Sequence, residues 1–469
     1  MIWQALVISV LLYLIIGSIV NYRKLSQFPG PPLAKFTRFW LFWQAANARS
    51  HDAQREALRK YGSPCRIGPN LLVTDDADVV RHMSSPRSKW SRSAWYNAMR
   101  FDPRTDTVFS TRDERIHMDL RTKEIGAYSG KDIDNIEDSM DTTIVEFVDM
   151  IREMRGKPMD FGKVAQLFTL DVLSRIAFGK CFGFIAARED IFGYGKAGED
   201  FFPINELMSN HAFFRALIGN PVMQKLAAPK DTDEVGLGRI AKFARECVEE
   251  NKGLTQLQVE AESALQIVAG SDSTTTILRC TLYLLAGSPT VYNKLKGEVD
   301  EAVSNGAASH PVVTYAETEK LEYLQACVWE GMRMWPPLMG MKIKSAPKGG
   351  DTVDGVFYPE GSELGQCDSA ICRKPSEWGD DADVFRPDRW IEADEKTRQR
   401  YEMIVGCIFG TGKWTCLGKH IAEVELHKVL FELIRRFDWA IANPMEGVKM
   451  AGHGIWAQKN MNLTAAVPT

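Results

Sequence analysis

What this chain lacks narrows it before any motif is read. Its nine cysteines include no C-x-x-C pair, and an odd, scattered set suits a reducing compartment better than a disulfide framework. There is no surplus of positive charge: the formal net charge is −4, which argues against a nucleic-acid partner held by bulk electrostatics. No internal repeat, low-complexity tract or long Gly/Ser linker divides the chain. With 469 residues, 45% apolar and 25% charged, it reads as one large catalytic unit. No Lys or Arg precedes its first apolar run, which counts against a signal peptide.

That run, residues 2–20, is interrupted only by Gln4, Ser9, Gly17 and Ser18. As a helix it would extend roughly 28 Å, about one bilayer hydrocarbon thickness. A cleaved signal peptide is the alternative, but the run exceeds a usual apolar core, and Arg23 and Lys24 follow it. The expectation is an uncleaved anchor with the C-terminal body on the cytosolic side. Phe28-Pro29-Gly30-Pro31-Pro32 cannot continue a helix and reads as a stiff hinge. The expected division is a transmembrane anchor over 1–22, a basic, proline-rich hinge over 23–50 and a catalytic domain over 51–469.

The centre of the chain's chemistry is Phe409-Gly410-Thr411-Gly412-Lys413-Trp414-Thr415-Cys416-Leu417-Gly418, followed by a helical pattern from Lys419. Glycines let backbone N–H groups approach a sulfur, and a helix beginning just after Cys416 turns its positive end toward a thiolate. A buried structural cysteine on a turn is the bland alternative. A zinc site from Cys407, Cys416, His420 and His427 is another, with irregular spacing for a zinc module. The chemistry best suited to a lone thiolate is axial ligation of a heme iron.

The loop resembles the heme-binding signature of the cytochrome P-450 family, Phe-x-x-Gly-x-(Arg/His)-x-Cys-x-Gly, with Phe409, Gly412, Cys416 and Gly418 in place and Trp414 where Arg or His is usual. Three more stretches match the family in order. Ala269-Gly270-Ser271-Asp272-Ser273-Thr274, inside a helical candidate over 255–286, resembles the oxygen-activation motif, with Ser273 in place of threonine. Glu330-Gly331-Met332-Arg333 resembles Glu-x-x-Arg, and Phe385-Arg386-Pro387-Asp388-Arg389-Trp390 the segment whose arginine completes a triad with it. The Gly, Asp and consecutive Ser/Thr of the first stretch weaken a helical ladder, so a kink or widened turn is expected there.

The resemblance implies a mainly α fold with small β-sheets and a long central helix over a heme b, preceded by one transmembrane helix. It implies Cys416 as the iron's axial ligand, within a heme-binding set of Phe409, Gly410, Gly412, Trp414, Gly418, Ala269 and Gly270. Asp272, Ser273 and Thr274 would deliver protons. His117 and Arg121 match the family helix that bonds a heme propionate, although a solvated basic face reads equally well. Lys342 or Lys344 would replace a propionate-binding arginine. Glu330, Arg333 and Arg389 would be a structural triad.

Electrons would come from NADPH through the flavoprotein NADPH-cytochrome P-450 reductase, with cytochrome b5 as a second donor. The reductase would dock on Lys413, Lys419, Lys123, Arg112 and Arg115. The reaction implied is insertion of one oxygen atom from O2 into a small apolar substrate, by hydroxylation, epoxidation or demethylation, at the endoplasmic reticulum membrane. The wording around Cys416 and Arg389 is most similar to fungal secondary-metabolism members of the pisatin demethylase-like kind. A heme-thiolate isomerase or dehydratase, needing no reductase, is the competing activity. Elsewhere the sequence predicts helices over 51–61, 112–129, 133–154 and 159–182, short strands over 65–74, a loop over 90–109, a lid over 199–228, strands over 338–346 and 351–364, and a cavity loop at Gly454-Ile455-Trp456.

Overall fold

The computed structural model describes residue 17 and residues 22–128, 136–211, 214–215, 222–223, 235–247 and 253–468. The expected anchor falls outside these apart from Gly17 and Tyr22, as do Ser129, Gly130 and parts of the 199–228 lid. Among the described residues no helix is long and apolar enough to cross a membrane.

Among the described residues thirteen longer helices carry the fold: α1 (Phe39–Ala46), α2 (Ser50–Tyr61), α3 (Ala77–Ser84), α4 (Glu114–Tyr128), α5 (Ile136–Met154), α6 (Phe161–Phe178), α7 (Tyr194–Asn210), α8 (Gly236–Cys247), α9 (Gln256–Ala286), α10 (Pro289–Ser304), α11 (Glu322–Met334), α12 (Glu395–Gly406) and α13 (Lys419–Arg436). α9 is central and starts at a capping box, in which the Thr255 hydroxyl accepts from Gln258 N and the Gln258 side chain accepts from Thr255 N. It packs on α6, α8, α11 and α13. The main apolar core lies between α5, α6, α9, α11 and α13 and includes Phe147, Phe168, Leu282, Val328 and Phe431.

The principal sheet has five short strands: β1 (Cys65–Gly68), β2 (Leu71–Thr74), β3 (Ser91–Arg92), β4 (Lys344–Ser345) and β5 (Glu363–Gln366), in the order β1-β2-β5-β4-β3. β2 and β5 run parallel and the other pairs antiparallel. The expected 338–346 strand shrinks to Lys344–Ser345, because Lys342 sits at φ 45°, outside extended geometry.

Two further expectations change. The 23–50 segment is no free hinge: Leu25 and Phe28 are in the main core, Arg66 N donates to Pro29 O at 2.8 Å, and a Cβ on Gly30 would lie 2.0 Å from Arg66 O. The expected widened turn at 269–276 is missing, since α9 is α-helical throughout. Its hydroxyls are absorbed locally: Ser273 Oγ donates to Ala269 O at 2.5 Å, while Ser271 and Thr275 share the Thr169 hydroxyl of α6 at 2.9 and 2.6 Å. Gly270 lets α6 approach, a Cβ there meeting Leu173 at 3.0 Å.

Candidate active site

The cysteine loop is built from two one-residue backbone reversals. Gly410 (φ 72°) and Gly412 (φ 59°) adopt left-handed geometry, and a Cβ at either would strike backbone, Trp414 O at 2.6 Å and Ser84 O at 2.0 Å respectively. Cys416 N donates to Phe409 O at 2.7 Å, closing the loop. Arg121 of α4 donates to Thr415 O at 2.7 Å, pinning the residue before the cysteine. Cys416 retains accessible area although protein surrounds it on most sides, as at the wall of an internal cavity.

Burial pushes the Cys416 thiol up, opposed by the N–H groups of Gly418 and Lys419 and the charges of Lys342 and Arg121. A bound metal cation would favour the thiolate further, since a coordinating thiol is deprotonated outright. That cation is not the zinc of the alternative reading. Cys407 donates to Met403 O, His427 Nδ1 donates to Glu423 O at 2.6 Å, and among the described residues no group of three His, Cys, Asp or Glu is placed to hold a metal ion.

In the middle of buried α9, Ala269 is exposed and Ser273 half-exposed. They are four residues apart and so share one face. Asp272 and Thr274 are buried. Asp272 turns to the neighbouring helices, accepting from Gln166 Nε2 of α6 at 2.9 Å and Tyr194 Oη of α7 at 2.8 Å.

On the side of the loop nearest α4 and β3, cations gather with too few carboxylates. Lys342 is neutralised by Asp368 at 2.7 Å and also donates to Ile408 O, which argues against the propionate role expected of it. Lys344 is buried, bonds only the Ser84 hydroxyl at 2.8 Å, and has no carboxylate at ion-pair distance among the described residues. Burial, then Arg92, Lys342 and Lys413, bring its pKa down to about 7. Arg92, which sequence reasoning missed, is buried beside it, donating to Val108 O and Thr111 O and lying 4.0 Å from the Trp414 ring centroid. His117 packs on Trp414 at 4.5 Å. Trp414 Nε1, His117 Nδ1 and Arg92 Nε are buried without a hydrogen-bond partner among the described residues. Unpaired buried cations and orphaned N–H groups cost stability unless an anion meets them. Two heme propionates fit this donor set.

The supporting triad is dense. Glu330 accepts from Arg333 Nε and Nη2 at 2.8 and 2.7 Å, from Arg389 Nε at 3.1 Å, from Trp390 Nε1 at 2.9 Å and from Arg386 N at 2.8 Å. Glu330 and Arg333 are fully buried. The expected reductase face is weaker than its sequence implies: Lys413 pairs with Glu114, Lys123 with Asp119 and Lys419 with Glu423, leaving Arg112 and Arg115 exposed. Gly454-Ile455-Trp456 does not enter the cavity as a free loop. Gly454 O accepts from Met339 N and Gly340 N, and Trp456 Nε1 donates to Pro336 O.

An accessible cysteine loop, an accessible patch on a long buried helix and a cation cluster short of anions are the parts a heme-thiolate enzyme needs, and the chain belongs to the cytochrome P450 family, whose model matches residues 201–460. It is 37% identical to cytochrome P450 monooxygenase ABA1 of Pyricularia oryzae, over 96% of this chain and 94% of that one. It is also 32% identical to cytochrome P450 monooxygenase aba1 of Botryotinia fuckeliana, over 93% and 91%. Its fold resembles the crystal structure of a mutant cytochrome P450DA heme domain, with a TM-score of 0.65 and 18% identity over 85% of this chain and 87% of that one. The protein is a cytochrome P450 monooxygenase related to fungal members.

Proposed function

We propose that the protein is an endoplasmic reticulum monooxygenase of fungal secondary metabolism, anchored by residues 2–20. It takes electrons from NADPH through a flavoprotein reductase docking near Arg112 and Arg115, with cytochrome b5 as a second donor, and hydroxylates, epoxidises or demethylates a small apolar molecule. The observation that carries this reading is the enclosed, accessible Cys416 sulfur beside the anion-seeking donors Arg92, Lys344, Trp414 and His117.

Cys416 would ligate the iron, Arg92, Lys344, Trp414 and His117 would hold the propionates, and the bound heme supplies dioxygen activation and oxygen insertion. Ser273 orients a water on the accessible face of α9, and Asp272 holds the proton that this water passes on. The triad around Glu330 stiffens the segment leading into the cysteine loop.

The reduced protein under carbon monoxide should show the red-shifted band of a thiolate-ligated ferrous heme, lost in Cys416→His. Absence of that band with the native chain rejects the site. Ser273→Ala should raise peroxide released per NADPH consumed, and unchanged coupling removes Ser273 from proton delivery. A spin-state screen against terpenoids, alkaloids and polyketides would narrow the substrate.

A further inference from the structure

Asp272 rests turned away from the accessible face of α9. Its neighbour Ser273 is on that face, but the Asp272 side chain is buried, with one oxygen held by Gln166 of α6 and the other by Tyr194 of α7. Both donors are neutral. Neither forms the ion pair that would lock a buried carboxylate as an anion.

Tyr194 has a second attachment. It lies in the first turn of α7, where Asp190 accepts from Tyr194 N and Gly195 N at 2.7 and 2.8 Å. Further along, Asn205 donates to Ala98 O at 2.7 Å, and Glu206 pairs with His453 at 3.5 Å. α7 therefore ties the 94–99 segment and the segment around His453 to the carboxylate on α9.

We propose that Tyr194 is the positioning residue through which helix α7 sets proton delivery by Asp272, with Gln166 as the second arm of a neutral clamp. The inference rests on the proton-holding role given to Asp272 above. Burial raises the Tyr194 phenol well above its ordinary pKa, so it is a fixed donor and not a proton source. Burial also raises Asp272, and the bonds from Tyr194 and Gln166 oppose that rise. The other charged groups facing this pocket are Arg279 on α9, Asp190 at the start of α7 and Asp160 at the start of α6.

The sign of the test follows from that opposition. Removing a bond that favours the carboxylate raises Asp272 further. In the reductase-coupled holoenzyme, Tyr194→Phe should move the acid limb of the product-formation pH profile to higher pH. It should also cut coupled turnover about tenfold, with substrate Kd and the ferrous-carbonyl band unchanged. Gln166→Met, which leaves the phenol in place, should move the limb the same way and serves if the first variant does not incorporate heme. Asp272→Asn separates the two levels: if coupling survives it, the proton-holding reading fails. If Asp272→Asn uncouples the enzyme while neither Tyr194→Phe nor Gln166→Met shifts the acid limb, the clamp alone is overturned.

Discussion

The imidazole of His117 lies 4.5 Å from the indole of Trp414, centroid to centroid, joining α4 to the cysteine loop across about 300 residues of chain. Arg92 covers the same indole, so Trp414 is held by two partners while its own N–H remains unbonded in the protein. Burial, then Arg92, Arg121 and Lys413, bring the His117 pKa down to about 3. The ring is neutral at physiological pH.

Trp414→Phe keeps the packing and removes only the N–H. It should weaken heme retention by about 1 kcal/mol, the usual worth of one neutral hydrogen bond and roughly fivefold in the heme loss rate. Transfer of heme to an acceptor globin would measure it, and an unchanged rate would detach Trp414 from the propionates.

Lys344 is neutralised more readily in the folded protein than in the unfolded chain, with its pKa near 7 against 10.5. Between those values the unfolded state binds more protons, so this group makes heme-free protein more stable as pH rises from about 7 toward 10. Lys344→Met should abolish that slope, raise the melting temperature of the heme-free protein at pH 7, and speed heme loss. A variant whose slope and heme retention both match the parent would remove Lys344 from the cation cluster.

Glu330 is fully buried and gathers two guanidinium groups, an indole and a backbone N–H. Glu330→Leu leaves Arg333 and Arg389 without their shared carboxylate and should cost about 3–5 kcal/mol. Denaturant unfolding would show this together with a loss of heme incorporation. Full stability would mean that Cys372 O, Ala382 O and Val384 O, which also accept from Arg333, suffice.

Glu124 of α4 and Glu262 of α9 are buried against each other. Burial raises both carboxyls, Glu262 more than Glu124, and the pair holds a proton that two separate carboxylates would lose. The folded state therefore binds more protons than the unfolded one above the ordinary carboxylate range, and stability falls as pH rises through the raised values. Thermal melts from pH 6 to 9 should show this decline, and Glu262→Gln should flatten it. Equal slopes in parent and variant would show that the pair does not share the proton.

Much of this was legible in the sequence because its signals are local. The cysteine loop, the Glu-x-x-Arg pair and the Arg389 segment are short motifs, and α9 extends from Thr255 to Gly287 just where the caps and periodicity place it. Arg92, Tyr194 and Gln166 carry no such signal. A lone arginine next to a serine, or a tyrosine beginning an amphipathic helix, looks like any other.

The sequence by itself determined the class of enzyme, the cysteine loop and the order of the supporting motifs, since each depends on residues a few positions apart. Only the tertiary structure decided how charge is matched. It spent Lys342 on Asp368, left Lys344 and Arg92 without carboxylates, and packed the 23–50 segment onto the sheet. It also turned the hydroxyls of α9 to Ala269 O and Thr169, and placed Asp272 in the grip of two neutral donors. Most of those outcomes depend on side chains brought together from separate elements of the fold, where burial multiplies the cost of every unpaired group.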